Sequence, residues 1–346
     1  MKTITEKEIR FLGASGITVP PMGVGTAHWG AGFQGYGRTY TRDDIYGAYR
    51  ACLDAGLNFI DTAEVYGNGD SERLLGEFRK QDGRPIMIAT KYSNPSSVAL
   101  RNSRSPASGL LRALDASLKR LNVEQVDLYM IHRPLPPQFL DETVDVLAQA
   151  FHSGKVRAVG VSNFNAPLLR QAQKRFAEHN IPLAANQVAY NLLMRYPEDN
   201  GVLEACRELN IALMAYSPQA NGILAGKFRP GVKSVSLLQS LFFRVIELDP
   251  FKEGRGRESL LRRLIAPYPL RQNKLEPLFV EMEEIAKAHG KTINQVALNW
   301  LLVRDPLVIP IPGAKNARQA QQNAGALGWR LSNEECDRIN QAQLTM

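Results

Sequence analysis

Along most of the chain, short apolar runs of about five residues, the length of a buried strand, alternate with longer segments of helical period. The runs are PMGVGT, LNFID, IMIATK, VDLYMIH, AVGVSN, LAANQ, IALMAYS and LVIPIP, eight in all. Between them the spacing of apolar positions predicts helices over 43–55, 71–79, 108–121, 142–152, 166–178, 198–209, 278–289 with 292–303, and 317–327. Ahead of the first run, IRFLGASGITVP holds two short apolar runs around a glycine-containing turn and predicts a β-hairpin. Near-continuous apolar strands that alternate with helices are parallel strands covered on their outer side, and eight repeats is the number that closes a barrel. The expected fold is therefore α/β, a (β/α)8 TIM barrel with an N-terminal β-hairpin, in one domain over 1–346. An open doubly wound sheet is the alternative that periodicity alone leaves standing.

One stretch breaks the rhythm. Residues 228–273 hold Pro230, Pro250, Pro267 and Pro269 and collect Arg255, Arg257, Arg262, Arg263 and Arg271. A connection of that length is typically a lid or binding loop, here after the seventh barrel strand, or else an insertion with a solvated basic face. No internal repeat, low-complexity tract or linker argues for a second domain.

Composition narrows the class without changing this picture. With 44% hydrophobic and 22% charged residues the chain is neither disordered nor fibrous. Lys and Arg number 42 against 34 Asp and Glu, an excess of +8 spread along the chain, which reads as a solvated surface; nucleic-acid binding, which rests only on this modest charge, is the lesser reading and is not expected. Cys52, Cys206 and Cys336 are odd in number, far apart and without a CxxC, which argues against a disulfide framework or zinc site and for a reducing compartment. The five histidines are scattered without metal spacing, so no metal is expected. The opening MKTITEKEIRFLGASG carries two glutamates and no continuous apolar stretch, unlike a signal peptide, and no apolar run is long enough for a membrane span. A cytoplasmic protein that binds no membrane, monomeric or a small homo-oligomer, is the expectation.

The chemistry collects at the C-terminal ends of the runs: Thr26, Asp61, Lys91, His132, Ser162 with Asn163, Gln187, and Tyr216 with Ser217. In a (β/α)8 barrel these ends converge on one face, where active sites lie. Taken singly, each residue has a plainer reading: Asp61 as a helix cap, Tyr66 as a loop aromatic, Lys91 as a solvated strand end, His132 as a ring packed by Pro134. Ser162 or Asn163 could be a helix N-cap, and Tyr216 a core aromatic. Nucleotide signals of other folds fail, since GVGTAHWG has His28, and GNGDSE has Glu72, where the third glycine of a dinucleotide fingerprint belongs.

Read in order, GLNFIDTAEVYGNGDSERLLGE from Gly56, KY at 91–92, YMIHRP around His132, GKVRAVGVSNF from Gly154, NQVAYN from Asn186 and AYSPQANGILAGKF from Ala215 resemble the sequence blocks of the aldo-keto reductases. The resemblance spans nearly the whole chain and implies NADP(H)-dependent interconversion of carbonyl and alcohol, with a small-molecule carbonyl substrate. It places a catalytic tetrad on Asp61, Tyr66, Lys91 and His132. Reduction by hydride transfer needs a proton for the developing alkoxide, which a phenol can supply. Tyr66 takes that role. A tyrosine titrates near pKa ~10, so the Lys91 ammonium is expected to lower Tyr66 toward the working range while Asp61 holds the lysine. His132 is expected to orient and polarise the carbonyl.

The resemblance also implies a cofactor site. Ser162, Asn163 and Gln187 would hold the carboxamide, Tyr216 would stack on the nicotinamide, and Gly25, Thr26 and Asp61 would lie beside it. Ser217, Gln219, Asn221 and Lys227 would run along the pyrophosphate. In IPGAKNARQAQQN, a helix start with Gly313, Lys315, Gln319 and Asn323 in register resembles the 2′-phosphate site, with Arg318 adding charge. Gly313 stands where aldose-reductase-like members carry a lysine, which moves the charge to Lys315. Trp29, Tyr66, Tyr92 and His132 are the expected substrate-pocket residues, and the short stretch after SNEECDRINQAQ implies that the long C-terminal pocket loop of some relatives is missing. The barrel and tetrad also resemble the potassium-channel β subunits, so an NADP(H)-sensing regulatory subunit with little turnover is the second functional expectation.

Overall fold

A computed structural model describes residues 8–93, 106–134, 137–226 and 275–344. The 228–273 stretch expected to be a lid, and Lys227, lie outside the described residues. The expected hairpin is present, with β1 (Arg10–Phe11) antiparallel to β2 (Thr18–Val19). Eight parallel strands follow: β3 (Val24–Gly25), β4 (Phe59–Asp61), β5 (Met87–Tyr92), β6 (Leu128–Ile131), β7 (Val159–Ser162), β8 (Leu183–Ala189), β9 (Ala212–Tyr216) and β10 (Val308–Pro310). They pair in chain order, and each coincides with one of the eight apolar runs. The sheet also closes, which excludes the open alternative. Gly23 N–H donates to Pro310 O and Gly25 N–H to Pro312 O, both at 3.0 Å, and Gly25 is bridged to Gly313. A Cβ on Gly25 would stand 2.8 Å from Ile311 O, so the seam needs glycine there.

Successive strand residues point to opposite faces, so each strand feeds two cores. Phe59, Ala89, Leu128, Met130, Ala185, Ala212, Met214 and Ile309 fill the barrel interior. Ile60, Ile88, Tyr129, Val161, Leu213 and Val308 pack outward against the helices. Those helices are α1 (Arg42–Asp54), α2 (Asp70–Asp82), α3 (Leu110–Leu121), α4 (Leu140–His152), α5 (Ala166–Glu178), α6 (Tyr196–Asp199), α7 (Val202–Leu209), α8 (Glu276–His289), α9 (Ile293–Arg304), α10 (Ala317–Ala324) and α11 (Asn333–Leu344). α1 and α9 open on capping boxes, Thr41 with Asp44 and Thr292 with Gln295. The helix expected over 198–209 is split, because Gly201 at φ 78° cannot continue a helix and separates α6 from α7.

The hairpin seals the bottom of the barrel. Leu12, Ile17 and Val19 are buried with the interior residues, and Gly13, at φ 51°, lies so close to the strand ends that a Cβ would stand 2.5 Å from Asn210 O. No helix among the described residues is long and apolar enough to cross a membrane.

Candidate active site

The interior changes character at the top. On β5, Ala89 and Lys91 face inward while Ile88, Thr90 and Tyr92 face outward, so the apolar interior gives way to an ammonium within two residues. Lys91 is fully buried, and its Nζ reaches both carboxylate oxygens of Asp61 at 2.8 Å, Thr62 O at 2.8 Å and Tyr66 Oη at 3.3 Å. Burial pulls an ammonium down, but the Asp61 carboxylate, together with the hydrogen bonds to Asp61 and Tyr66, outweighs it and holds Lys91 above its ordinary value. Neither plain reading survives here, since Lys91 is unsolvated and Asp61 caps no helix.

Tyr66 follows β4 by a short loop, half-buried, its ring 4.9 Å from Lys91 Nζ and T-shaped to His132 at 5.7 Å between centroids. Gly67 and Asn68, at φ 57° and 55°, turn the chain sharply after it. Lys91 does pull the phenol down, as expected, but it does not bring Tyr66 toward the working range. Burial raises Tyr66, Lys91 opposes, Asp61 adds to the rise, and the net shift is upward. The phenol thus stays protonated at neutral pH.

His132 enters one residue beyond β6. Burial, then the charges of Lys91 and Arg133, push it down to about 3, so the imidazole is neutral across the working range. Ser93 Oγ lies 2.7 Å from its Nδ1, and Asn163 Nδ2 donates to its backbone O at 3.2 Å.

Gln187, 126 residues from Asp61, donates through Nε2 to Asp61 Oδ1 at 2.8 Å. Ser162 Oγ donates to Gln187 O at 2.8 Å, Asn163 Nδ2 to Ser162 Oγ at 3.0 Å, and Tyr216 Oη to Asn163 Oδ1 at 3.1 Å. The N-cap of α5 is Asn165, which accepts from Leu168 N–H, so Ser162 and Asn163 are not caps. Asn163, Ser217, Ala220 and Asn221 all adopt positive φ, at 63°, 50°, 47° and 55°, a concentration of left-handed non-glycine backbone around one rim. Thr26 Oγ1 donates to Asp61 O at 2.9 Å and accepts from Ser71 Oγ at 2.7 Å.

Farther round, Gln219 Nε2 donates to Asn323 Oδ1 at 2.7 Å and to Asn294 Oδ1 at 2.6 Å, and Asn323 Nδ2 donates to Gly313 O at 3.1 Å. Asn316 caps α10 through Gln319 N–H, while Gln319 Oε1 accepts from Lys315 N–H at 2.9 Å. Lys315 Nζ donates to Gln34 O at 3.2 Å and sits 4.6 Å from the centre of the Tyr40 ring.

Two expected pocket residues belong elsewhere. Trp29 is fully buried, T-shaped to Tyr49 and Phe78, with its Nε1–H on Ala314 O at 3.0 Å, so it packs the barrel against α1 and α2. Tyr92 belongs to the outer apolar core, since an inward Lys91 forces its neighbour outward. Three site residues escaped sequence reasoning: Ser93, Asn294 and Ser71. No local signal marks them, because each acts through a partner distant in the chain. No group of three or more His, Cys, Asp or Glu among the described residues is placed to hold a metal ion.

Comparison with known proteins agrees with this architecture. The chain is 36% identical over 332 residues to the chloroplastic pyridoxal reductase of Arabidopsis thaliana, covering 92% of this chain and 82% of that one. It is 32% identical to the aldo-keto reductase yakc [NADP(+)] of Schizosaccharomyces pombe, covering 84% and 79%. A crystal structure of an aldo-keto reductase from Klebsiella pneumoniae in complex with NADPH superimposes with a TM-score of 0.68 at 27% identity, covering 96% of this chain and 94% of that one. Since the model of the aldo/keto reductase family matches residues 21–343, nearly the whole length, the chain belongs to that family.

Proposed function

We propose that the protein reduces an aldehyde or ketone to the alcohol with NADPH, Tyr66 delivering the proton. The observation that carries this reading is the buried Lys91 ammonium bridging the Asp61 carboxylate and the Tyr66 hydroxyl at the barrel mouth. NADPH, when bound, supplies the hydride. As negative charge develops on the carbonyl oxygen, Tyr66 Oη donates its proton, and the phenolate left behind is stabilised by the ammonium 3.3 Å away. Asp61 keeps that ammonium charged and in place. The neutral His132 ring donates a hydrogen bond that orients the carbonyl.

The residues present suit the cofactor. The amides of Asn163 and Gln187 match a carboxamide, the half-buried Tyr216 offers a ring to a planar heterocycle, and the left-handed residues Ser217, Ala220 and Asn221 turn the main chain along the rim. At α10, Asn316 satisfies the Gln319 amide, which leaves the Ala317 and Arg318 amides and the positive end of the helix to a phosphate. Lys315 would move from Gln34 O to that phosphate.

The test is an NADPH-oxidation screen over aldehydes, α-dicarbonyls, sugars, pyridoxal and glyceraldehyde 3-phosphate. One compound class turned over far faster than the rest is the expected result. Uniformly slow turnover would instead favour the nucleotide-sensing subunit.

A further inference from the structure

Ser93 stands one residue beyond β5, half-buried, where it joins His132 to the loop that carries Tyr66. Its Oγ lies 2.7 Å from His132 Nδ1, and its backbone N–H donates to Glu64 Oε1 at 2.6 Å. Glu64 lies on the same short loop as Tyr66. The loop that carries the proton donor thereby fixes the height of the hydroxyl that faces the histidine.

A neutral imidazole carries one proton on one of two nitrogens. If it sits on Nδ1, the ring donates to Ser93, and Nε2 has only a lone pair to turn toward a carbonyl oxygen, itself an acceptor. If it sits on Nε2, Nδ1 must accept, and a hydroxyl is a partner able to donate to it. An aliphatic side chain at 93 would leave the choice of tautomer unenforced.

We propose that Ser93 is a positioning residue whose hydroxyl donates to His132 Nδ1, keeping the imidazole proton on Nε2 where the substrate carbonyl can receive the hydrogen bond, with Glu64 holding Ser93 at that distance. This rests on the reductase reading above and assigns the part that the tetrad alone leaves open. Ser93 touches no reacting atom; its effect passes through His132.

The experiment has two independent arms. In ¹⁵N-histidine-labelled full-length protein without substrate, the His132 ring nitrogens should report the Nε2–H tautomer, and Ser93→Ala should shift them toward a mixture. An Nδ1–H tautomer in the unsubstituted protein overturns the proposal, whether or not any carbonyl is reduced, and needs no variant to fold. In the second arm, Ser93→Ala should lower kcat about ten-fold, the scale of one hydrogen bond in a site, with NADPH affinity unchanged. Ser93→Thr, which keeps the hydroxyl, should restore most of the rate. Introduced into His132→Ala, Ser93→Ala should cost nothing further; a second ten-fold loss in that background would show that Ser93 acts elsewhere and would also overturn the proposal.

Discussion

The two ends of the barrel strands solve opposite problems with the same backbone. In the lower half the interior is filled by Phe59, Ala89, Leu128, Met130 and Ile309 and sealed by Leu12, Ile17 and Val19 of the hairpin, so every buried group is apolar and adds to stability. In the upper half, within two residues along the same strands, the interior holds Asp61, Lys91 and Gln187, each of which loses hydration on burial and is retained only because it is bonded to another. The lower half tolerates any well-packed apolar set. The upper half does not, because removing one member strands its partner. Stability and activity should accordingly come apart when the two halves are perturbed separately.

The largest effect is expected at Lys91. Lys91→Met should lower carbonyl reduction by about 10²–10⁴-fold, as loss of a general acid's support does. It should also destabilise the fold by about 3–5 kcal/mol in denaturant titration, because Asp61 is left buried without its counter-charge. Combining it with Asp61→Asn should return much of the stability and none of the activity, which would separate the two roles of the ion pair. In the lower half, Leu128→Ala should cost about 2–5 kcal/mol of stability while kcat per folded molecule stays unchanged. A loss of kcat there would show the halves to be coupled. At the rim, Lys315→Ala should weaken NADPH binding about ten-fold and leave NADH nearly unaffected, since only NADPH carries the 2′-phosphate. An unchanged ratio would leave Lys315 to its contacts with Tyr40 and Gln34. A separate effect concerns pH. His132 binds its proton far less readily folded, at about 3, than unfolded, at about 6.5. Below pH 6.5 the unfolded chain takes up the proton first, so this contribution to stability is complete above about 6.5 and is lost as pH falls toward 3. His132→Asn should flatten the fall in stability over that window, measured by thermal unfolding in stepped buffers.

The fold was legible because its signal is local. Each strand is an apolar run and each run ends on a polar residue, so the eight elements and their converging ends follow from the pattern, as does the hairpin around Gly13 and Gly16. Asp61, Tyr66, Lys91 and His132 stand in the order and spacing of the family's motifs, and the folded chain brings all four within reach of one another. What escaped the sequence is directional or distant. Adjacency to Lys91 suggests a pocket position for Tyr92, although a period of two sends neighbours to opposite faces. The aromatic character of Trp29 suggests a pocket residue, whereas its surroundings include Phe78 from α2, far along the chain. The bonds of Ser93 to His132 and of Gln219 to Asn294 span 39 and 75 residues, and no local periodicity records them. The lowering of Tyr66 by Lys91 is present, but burial outweighs that one neighbouring charge, and burial is not legible in the sequence. α11 is rich in polar residues and shows no broad apolar stripe, so periodicity did not single it out.

The central claim is that the upper half performs proton transfer from Tyr66 to the carbonyl oxygen, and Tyr66→Phe tests it most directly. The substitution removes one hydroxyl and keeps the ring between Lys91 and His132. Single-turnover reduction and NADPH binding, measured on the same preparation, should diverge: the rate should fall by about 10²–10⁴-fold while the NADPH Kd stays as in the unsubstituted protein. A rate that survives the substitution, or a rate lost together with NADPH binding, would contradict the account.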